Sequence, residues 1–494
     1  MLYVGIDLGT SAAKFLLMDE KGSIRSMVSK AYPVEFPQPG WSQQDPEDWW
    51  RAVREGIPEL LVGQDASKVA GIGCGGQMHG LVALDAQCRV VRPAILWNDG
   101  RTAAQTRLLN EEVGTQQLLD STGNIAFAGF TAPKLLWMRD EEPQLFNAIR
   151  HVLLPKDYVN FRLTGTFSSD PSDASGTLLY DVAARDWSAP MLETCGVEAA
   201  WMPPVYESYQ PVGTVDDAVA DELGLPRGVV VCAGAGDNAA AAVGCGVVGP
   251  GSCNISLGTS GTVFIPTDGF AAGVGERIHS FAHADGGWHV MGCVLSAASC
   301  NAWWMQDVLL TDDFPGEQAG IDANHVTVDE PYFLPYLMGE RSPHNDPFAR
   351  GAFVGLRMDT SRTQMTRAVL EGVAFAIRDS VQIARELGTE VTHSMVCGGG
   401  SKSRLWLQMM ANVCDLALEL PKTEQGPGYG GAMLAAVACG EYASVAECAR
   451  AIVEVTDRIE PNAEAVAAYK ERYQVWRGLY PALKDSFFQM RGAQ

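Results

Sequence analysis

The chain opens on two apolar runs separated by a short turn of small polar residues. In "LYVGIDLGTSAAKFLLMD" (2–19), most residues before Gly9 and after Ser11 are aliphatic or aromatic. Two such runs joined by Gly, Thr and Ser predict a β-hairpin. Asp7 lies inside the first run, where a buried carboxylate requires a compensating partner. A metal ion is one such partner, and simple closure of the hairpin is the alternative.

The same pattern returns about halfway along the chain. "IDLGTSAAKFLLMD" (6–19) recurs as "ISLGTSGTVFIPTD" (255–268). Chance is the alternative, because L-G-T-S is built from common residues. Both copies nevertheless predict strand, glycine turn and strand, and self-similarity at a fixed spacing indicates a repeated architecture. We therefore predict two duplicated halves, residues 1–246 and 247–494, each opening on a hairpin with a Gly-Thr-Ser tip.

Glycine-rich tips of this kind are suited to binding anions. Glycine lets a phosphate approach the backbone, and exposed N–H groups with Thr and Ser hydroxyls form a concave anion site. A third cluster, "VCGGGSKSRLWLQMMANV" (396–413), predicts a strand ending at Cys397, three glycines and a helix that Ser401 or Ser403 caps. A plain strand-to-helix connection is the alternative there. No Gly-Lys dipeptide occurs in the chain, which excludes a Walker A loop.

One carboxylate stands in a run of small residues. In "VCAGAGDNAAAAVG" (231–244), Asp237 follows Gly236 and precedes Asn238 and four alanines. A carboxylate in apolar surroundings loses hydration, so its pKa rises unless a partner compensates. Carboxylates perturbed in this way cluster at functional sites. Asp237 is therefore a candidate general base, and a helix N-cap is the structural alternative.

Composition narrows the classes of protein that fit. With 494 residues, 47% hydrophobic and 19% charged, the chain is typical of a globular protein of two or more domains. A net charge of -23 argues against nucleic-acid binding. No apolar stretch is long enough to predict a membrane span, and the first residues do not resemble a signal peptide. The 12 cysteines include no C-x-x-C pair, so we expect a reduced, cytoplasmic protein.

Nine segments together resemble the FGGY carbohydrate kinases. In chain order they are "GIDLGTS", "GWSQQDPEDWW", "GQMHG", "ILWNDGR", "LPKDY", "GDNAAAAVG", "SLGTSG", "FLPYLMGERSPH" and "GGGSKSRLWLQMMANV". The resemblance spans residues 3 to about 435. It implies an α/β fold of two duplicated domains shared by sugar kinases, actin and the heat-shock seventy chaperones. It also implies that ATP and a sugar meet in the interdomain cleft.

The resemblance also implies roles for individual residues. Asp237 matches the catalytic base, and Asp7 matches the residue that organises Mg²⁺, usually through water. The ATP-binding positions implied are Thr10, Ser11, Lys14, Gly258 and Thr259 at the phosphates, and Gly399, Gly400 and Ser403 against adenosine. The eight histidines show no H-E-x-x-H spacing, so Mg²⁺ is expected to arrive with ATP.

The segments that match the sugar-binding positions of the family favour D-xylulose as the acceptor, with the phosphoryl group transferred to its C5 hydroxyl. Where glycerol kinases carry an Arg-Glu pair, this chain has Met78 and His79. The other substrate-binding positions implied are Trp97, Asn98, Asp99 and Asn238. Gln43, in place of a common Glu, and a glycine-rich loop, "EQGPGYGGAMLAA" (424–436), depart from the family pattern.

Several alternatives stay open from sequence alone. They are a kinase for L-xylulose, D-ribulose or erythritol, a nucleotide-driven protein of the same fold without a sugar, and a sensor that has lost catalysis. A homodimer is a family-level expectation. Without the family, His79 reads as structural. Tyr469, Tyr473, Trp476 and Tyr480 recur at helical spacing and are expected to fill the core. Core filling is also expected of Trp49, Trp50, Trp303 and Trp304, with sugar stacking as the alternative.

Overall fold

The computed structural model describes residues 1–327 and 329–490, which form two seven-stranded mixed sheets. The strands of the first sheet are β1 (Leu2–Leu8), β2 (Ala12–Asp19), β3 (Ile24–Ala31), β4 (Val69–Gly76), β5 (Pro211–Thr214), β6 (Val230–Cys232) and β7 (Ala235–Gly236). Their order is β5-β6-β4-β1-β2-β3, and β7 pairs with β4.

The second sheet repeats the central topology of the first. Its strands are β8 (Gly251–Leu257), β9 (Gly261–Thr267), β10 (His279–Ala282), β11 (Trp288–Val294), β12 (Val391–Cys397), β13 (Ala417–Pro421) and β14 (Val455–Ile459). Their order is β10-β11-β9-β8-β12-β13-β14. β1 is antiparallel to β2 and parallel to β4, and β8 is likewise antiparallel to β9 and parallel to β12. The two predicted hairpins and the duplicated α/β fold are confirmed.

Helices surround both sheets. Those before the second sheet are Pro46–Leu60, Ala103–Arg107, Thr115–Thr122, Thr131–Glu141, Pro143–Ala148, Pro155–Thr164, Pro171–Ala174, Ala189–Cys195, Asp217–Leu223 and Asp237–Gly244. Those after it begins are Ala298–Ala302, Phe314–Gln318, Arg362–Glu386, Arg404–Cys414, Gly426–Ala438, Val445–Ile452, Ala463–Arg477 and Leu479–Gln489. Within the described residues, no helix is both long and apolar enough to cross a membrane.

Four further strand pairs lie outside the two large sheets. They are Gln43–Gln44 with Ala94–Ile95, Val82–Leu84 with His151–Leu153, Tyr180–Asp181 with Asp186–Trp187, and Tyr332–Leu334 with Ala352–Val354. The aromatic residues expected in the core are buried, except that Trp303 is half-buried against it. The C-terminal aromatic stripe packs in the core of the second sheet, which confirms its structural interpretation.

The glycine-rich segment of residues 424–436 is a helix over most of its length, so its interpretation as a loop was wrong. The helix Gly426–Ala438 packs on β1 and β4 of the first sheet and crosses the helix Asp237–Gly244. A Cβ atom built at Gly430 would lie 1.8 Å from the Ala240 carbonyl oxygen. Glycine is therefore needed for close backbone approach, not for a turn.

This crossing predicts opposite effects for two glycines of one helix. Gly430→Ala is expected to lower stability by about 1–3 kcal/mol, because the new methyl group forces the two helices apart. Gly428→Ala is the matched control, since its Cβ would meet nothing closer than 3.4 Å. In the control, alanine gains about 1 kcal/mol of helix propensity. Thermal denaturation of both variants measures the difference, and equal shifts would contradict the crossing.

Candidate active site

Three neighbouring strands of the first sheet bring the two candidate catalytic carboxylates to one edge. Asp7 of β1 pairs with Gly75 of β4, and Gly75 also pairs with Ala235 of β7. Asp237 follows β7 directly. Adjacent strands lie about 4.8 Å apart, so β1 and β7 are separated by about 10 Å. The carboxyl ends of both strands therefore present Asp7 and Asp237 to the same space.

Asp237 is the first residue of the helix Asp237–Gly244, and Gly236 is its N-cap. The capping alternative therefore does not describe its position. Its Oδ1 accepts hydrogen bonds from Asn238, at 2.7 Å from the backbone nitrogen and 2.9 Å from Nδ2. The pKa of Asp237 is raised from 3.8 to about 7, mainly by burial; the charge of Asp7 adds to the rise, and the hydrogen bonds from Asn238 oppose it. This carboxylate is suited to accepting a proton near neutral pH.

Asp7 is mostly buried and has little compensation for its charge. Lys14 Nζ lies 3.8 Å from its Oδ2, and that lysine is largely exposed. Burial raises the pKa of Asp7, and Lys14 only partly offsets the rise. No group of three or more potential protein ligands for a metal occurs among the described residues. The carboxylates of Asp7 and Asp237, whose charges are only partly balanced, fit a Mg²⁺ ion that keeps several waters and takes its other ligands from phosphate oxygens.

Met78 and His79 form a wall next to Gly236, the residue before Asp237. Met78 is buried against Gly236, where a Cβ would lie 2.9 Å from Met78 Cγ. His79 has a φ of 70°, and its Nδ1 lies 2.7 Å from the Gly176 carbonyl oxygen. Burial lowers the pKa of His79 to about 3, so the ring is neutral. Because a carbonyl only accepts, Nδ1 carries the proton and Nε2 can accept a hydrogen bond from a hydroxyl.

The three sugar-side residues Trp97, Asn98 and Asp99 have different surroundings. Trp97 is half-exposed and donates from Nε1 to Thr10 Oγ1 at 3.0 Å, which joins it to the first hairpin tip. Asn98 is exposed and lines a surface hollow with residues 36–42. Asp99 is buried and accepts from the Ser42 nitrogen and the Arg101 guanidinium. Asp99 therefore holds this segment in place. The predicted contact between Asp99 and the sugar would require its ion pair with Arg101 to open.

The second hairpin tip is anchored on its carbonyl side. The Gly258 oxygen accepts from the Ala298 nitrogen at 2.9 Å, and the Thr259 oxygen accepts from the Ala297 nitrogen at 3.0 Å. Near this tip lies a cavity of about 730 Å³. Three of the predicted ATP-binding residues line it: Gly399, Gly400 and Ser403. Ser403 caps the helix Arg404–Cys414 by accepting from the Trp406 nitrogen at 3.3 Å.

Sequence reasoning did not identify the other side of this cavity. Asn301, Phe314 and Gln318 line it from two separate segments. Gln318 Nε2 donates to Asn301 Oδ1 at 3.3 Å, so the two amides hold each other. These residues lie in no recognisable motif, and only the folded chain brings them to the glycines.

A buried ion network beneath Asp237 was also missed. Lys156 Nζ lies 2.5 Å from Asp157 Oδ1, 2.8 Å from Asp170 Oδ1 and 3.6 Å from Asp173 Oδ2. All four side chains are buried. Ser172 Oγ donates to Asp170 Oδ2 at 2.5 Å and accepts from the Gly236 nitrogen at 3.1 Å. The network therefore holds the residue immediately before Asp237.

Comparisons with known proteins agree on one family. Residues 2–244 match the N-terminal domain of the FGGY family of carbohydrate kinases, and residues 253–439 match its C-terminal domain. The chain is 41% identical to the xylulose kinase of Escherichia coli (strain K12), covering 98% of this chain and 99% of the relative. It is 37% identical to the xylulose kinase of Bacillus subtilis (strain 168), covering 98% and 97%.

Solved structures give the same result. The crystal structure of a xyloylose kinase from Brucella ovis superposes with a TM-score of 0.92 at 40% identity, covering 98% of this chain and 100% of that one. Ligand-bound xylulose kinase from Lactobacillus acidophilus gives 0.93 at 25% identity, covering 99% of each chain. Both halves, in sequence and in fold, match one group of enzymes. The chain belongs to the FGGY family of carbohydrate kinases.

Proposed function

We propose that this kinase transfers the γ-phosphoryl group of ATP to the C5 hydroxyl of D-xylulose, with Asp237 as the general base. The observation that carries the mechanism is the desolvated Asp237 carboxylate, whose pKa is raised to about 7, at the start of a helix facing Asp7. The choice of D-xylulose as the substrate rests on the relatives named xylulose kinases and on the Met78-His79 wall.

The chemical step needs one proton acceptor. The hydroxyl oxygen of the sugar forms a new bond to the γ-phosphorus, while the bond to the bridging oxygen of ATP breaks and ADP leaves. Asp237 accepts the hydroxyl proton as the transfer proceeds. In phosphoryl transfer the protein works mainly by positioning and electrostatic stabilisation. The hydroxyl that reacts is then the one that the sugar-binding residues place beside Asp237.

The phosphate chain is proposed to lie between the two hairpin tips. Thr10 and Ser11 of the first tip and Gly258 and Thr259 of the second supply N–H and hydroxyl donors. Asp7 would hold Mg²⁺ through water, and the ion would supply positive charge at the phosphate oxygens. Lys14 reaches the same region from β2. Gly399, Gly400 and Ser403 would contact adenosine.

A coupled ADP-release assay with Mg-ATP tests the proposal against the alternatives. The panel contains D-xylulose, L-xylulose, D-ribulose, erythritol and a control without sugar. Turnover with the highest kcat/KM on D-xylulose supports the proposal. A higher kcat/KM on another acceptor would show that D-xylulose is not the preferred substrate, but it would leave the proposed mechanism intact. A rate of ADP release that is the same with and without every sugar would contradict the sugar kinase activity.

The raised pKa of Asp237 predicts the pH dependence of the reaction. Only the ionised carboxylate accepts a proton, so kcat/KM is expected to rise about tenfold per pH unit up to about pH 7 and then level off. Initial rates from pH 5 to 9 measure this profile. The residual activity of Asp237→Asn should lack that acid limb. If the variant still shows this rise in kcat/KM up to about pH 7, the rise reports the titration of a group other than Asp237.

A further inference from the structure

Arg341, in the segment "GERSPH", reaches from the second half of the chain to the first. Its guanidinium carbon lies 3.7 Å from the ring centroid of Phe127. Its Nη2 lies 3.5 Å from His279 Nδ1, and the residue is 9% exposed. Burial lowers the pKa of Arg341 to about 10, so the side chain stays charged at neutral pH. A buried cation therefore lies at the junction of the two halves.

This guanidinium is poorly partnered compared with other buried arginines. Its Nε and Nη1 donate no hydrogen bond to any described residue. Glu340, the adjacent acid, instead accepts from the backbone nitrogens of Leu295 and Arg341 with its Oε1. By contrast, Arg367 and Arg472 each pair with Glu371, both at 2.7 Å. A buried charge with two unpartnered N–H groups is costly, which points to a ligand that accepts from them.

Aromatic rings lie between the Arg341 guanidinium and the Met78-His79 wall. Phe127 packs against Phe130 at 5.3 Å between centroids, and Phe130 stacks on His79 at 4.8 Å. His279 contacts both phenylalanines, at 5.4 and 5.6 Å. One continuous group of rings therefore joins Arg341 to His79.

Cys293 of β11 relates Arg341 to the base. The pKa of the Cys293 thiol is affected by the charges of both Arg341 and Asp237, after the larger effect of its burial. Ser342, the next residue, pairs with the Cys293 backbone through both its nitrogen and its Oγ. Arg341 thus precedes a residue anchored on β11, and its charge and that of Asp237 both act on Cys293 of that strand.

We propose that Arg341 is a specificity-determining residue that donates hydrogen bonds to oxygens of the acceptor sugar, closing from the second half a pocket whose other wall is Met78 and His79. The proposal rests on the proposed function. Aromatic rings around the guanidinium suit the C–H faces of a sugar, whereas the hairpin tips and the glycine cavity serve ATP. Sugar binding would thereby join the two halves.

Steady-state kinetics of Arg341→Gln test this role. Hydrogen bonds from charged donors predict a rise of about 10–100-fold in KM for D-xylulose. Because the interaction is made in the ground state and kept during transfer, kcat and the KM for ATP should stay within about threefold. Arg341→Lys should give an intermediate KM, since it keeps the charge but offers fewer placed donors. Arg357→Gln, a change at an exposed arginine, is the matched control.

The outcomes separate this proposal from the proposed function. Wild-type turnover on the sugar panel is measured alongside, and the acceptor that the wild type prefers is used for every variant. A fall in kcat at unchanged sugar KM, a rise in KM for ATP, or no change would each overturn the role of Arg341. If Arg341→Gln does not fold, Arg341→Lys and calorimetric binding of the sugar without ATP give the same comparison.

Discussion

Asp237→Asn is expected to lower kcat by about 10²–10⁴-fold, the contribution typical of a positioned general base. Asparagine keeps the shape of the side chain but cannot accept the hydroxyl proton. The KM values for sugar and ATP should change little, because the substrate contacts of Met78, His79 and the hairpin tips are unaltered. The coupled ADP assay at saturating substrates measures the loss. Retention of more than a tenth of the wild-type kcat would contradict the role of Asp237.

Stability measurements distinguish a lost base from a damaged helix. The pKa of Asp237 is raised to about 7 in the folded protein, compared with an ordinary value of 3.8. Between these values the folded state binds more protons than the unfolded state, so this group weakens stability as pH rises. Asp237→Asn should therefore melt at a higher temperature than the wild type at pH 8, with a smaller difference at pH 5. A lower melting temperature at both pH values would indicate structural damage.

The fold was largely predictable where local pattern and tertiary structure agree. Both hairpins could be located because each is a contiguous run of apolar residues around a glycine tip. The helix Gly426–Ala438 could not, since glycines in sequence normally predict turns. Its glycines are required by Ala240 and Gly73, whose carbonyl oxygens would lie within 3 Å of added Cβ atoms. Those neighbours are distant in sequence, so the requirement is invisible before folding.

The candidate site divides in the same way. Asp7, Asp237 and the glycine cavity stand out because each breaks or punctuates an apolar pattern. Lys156 and Arg341 were missed as functional positions, although both lie in segments that carry the family resemblance. A charged residue in a sequence is predicted to be exposed, because most charged residues are, and only its contacts in the fold show that it is buried. The partners of Lys156 lie in two segments, and the ring over which Arg341 lies belongs to the other half.

Lys156→Met is expected to destabilise the protein by about 3–5 kcal/mol, the usual effect of removing one member of a buried ion pair. The change leaves Asp157, Asp170 and Asp173 buried without a cation. Burial already raises the pKa of Asp157 and of Asp173, and loss of the lysine raises them further. Folding then requires proton uptake, so the loss of stability should be larger at pH 8 than at pH 5.

A second substitution provides the control for this network. Asp173 has no hydrogen-bond partner among the described residues, and Lys156 lies 3.6 Å away. Because burial raises the pKa of Asp173, Asp173→Asn alone should stabilise the protein modestly at pH 8. In the Lys156→Met background the gain should be larger, since the carboxylate has then lost its cation. Urea denaturation of the four proteins at both pH values measures the coupling. If the two effects simply add, or if the loss is independent of pH, Lys156 acts through its packing and not through its charge. Coupling of the expected sign would show that Lys156 stabilises this network by its charge, and the same network contacts the Gly236 nitrogen through Asp170 and Ser172.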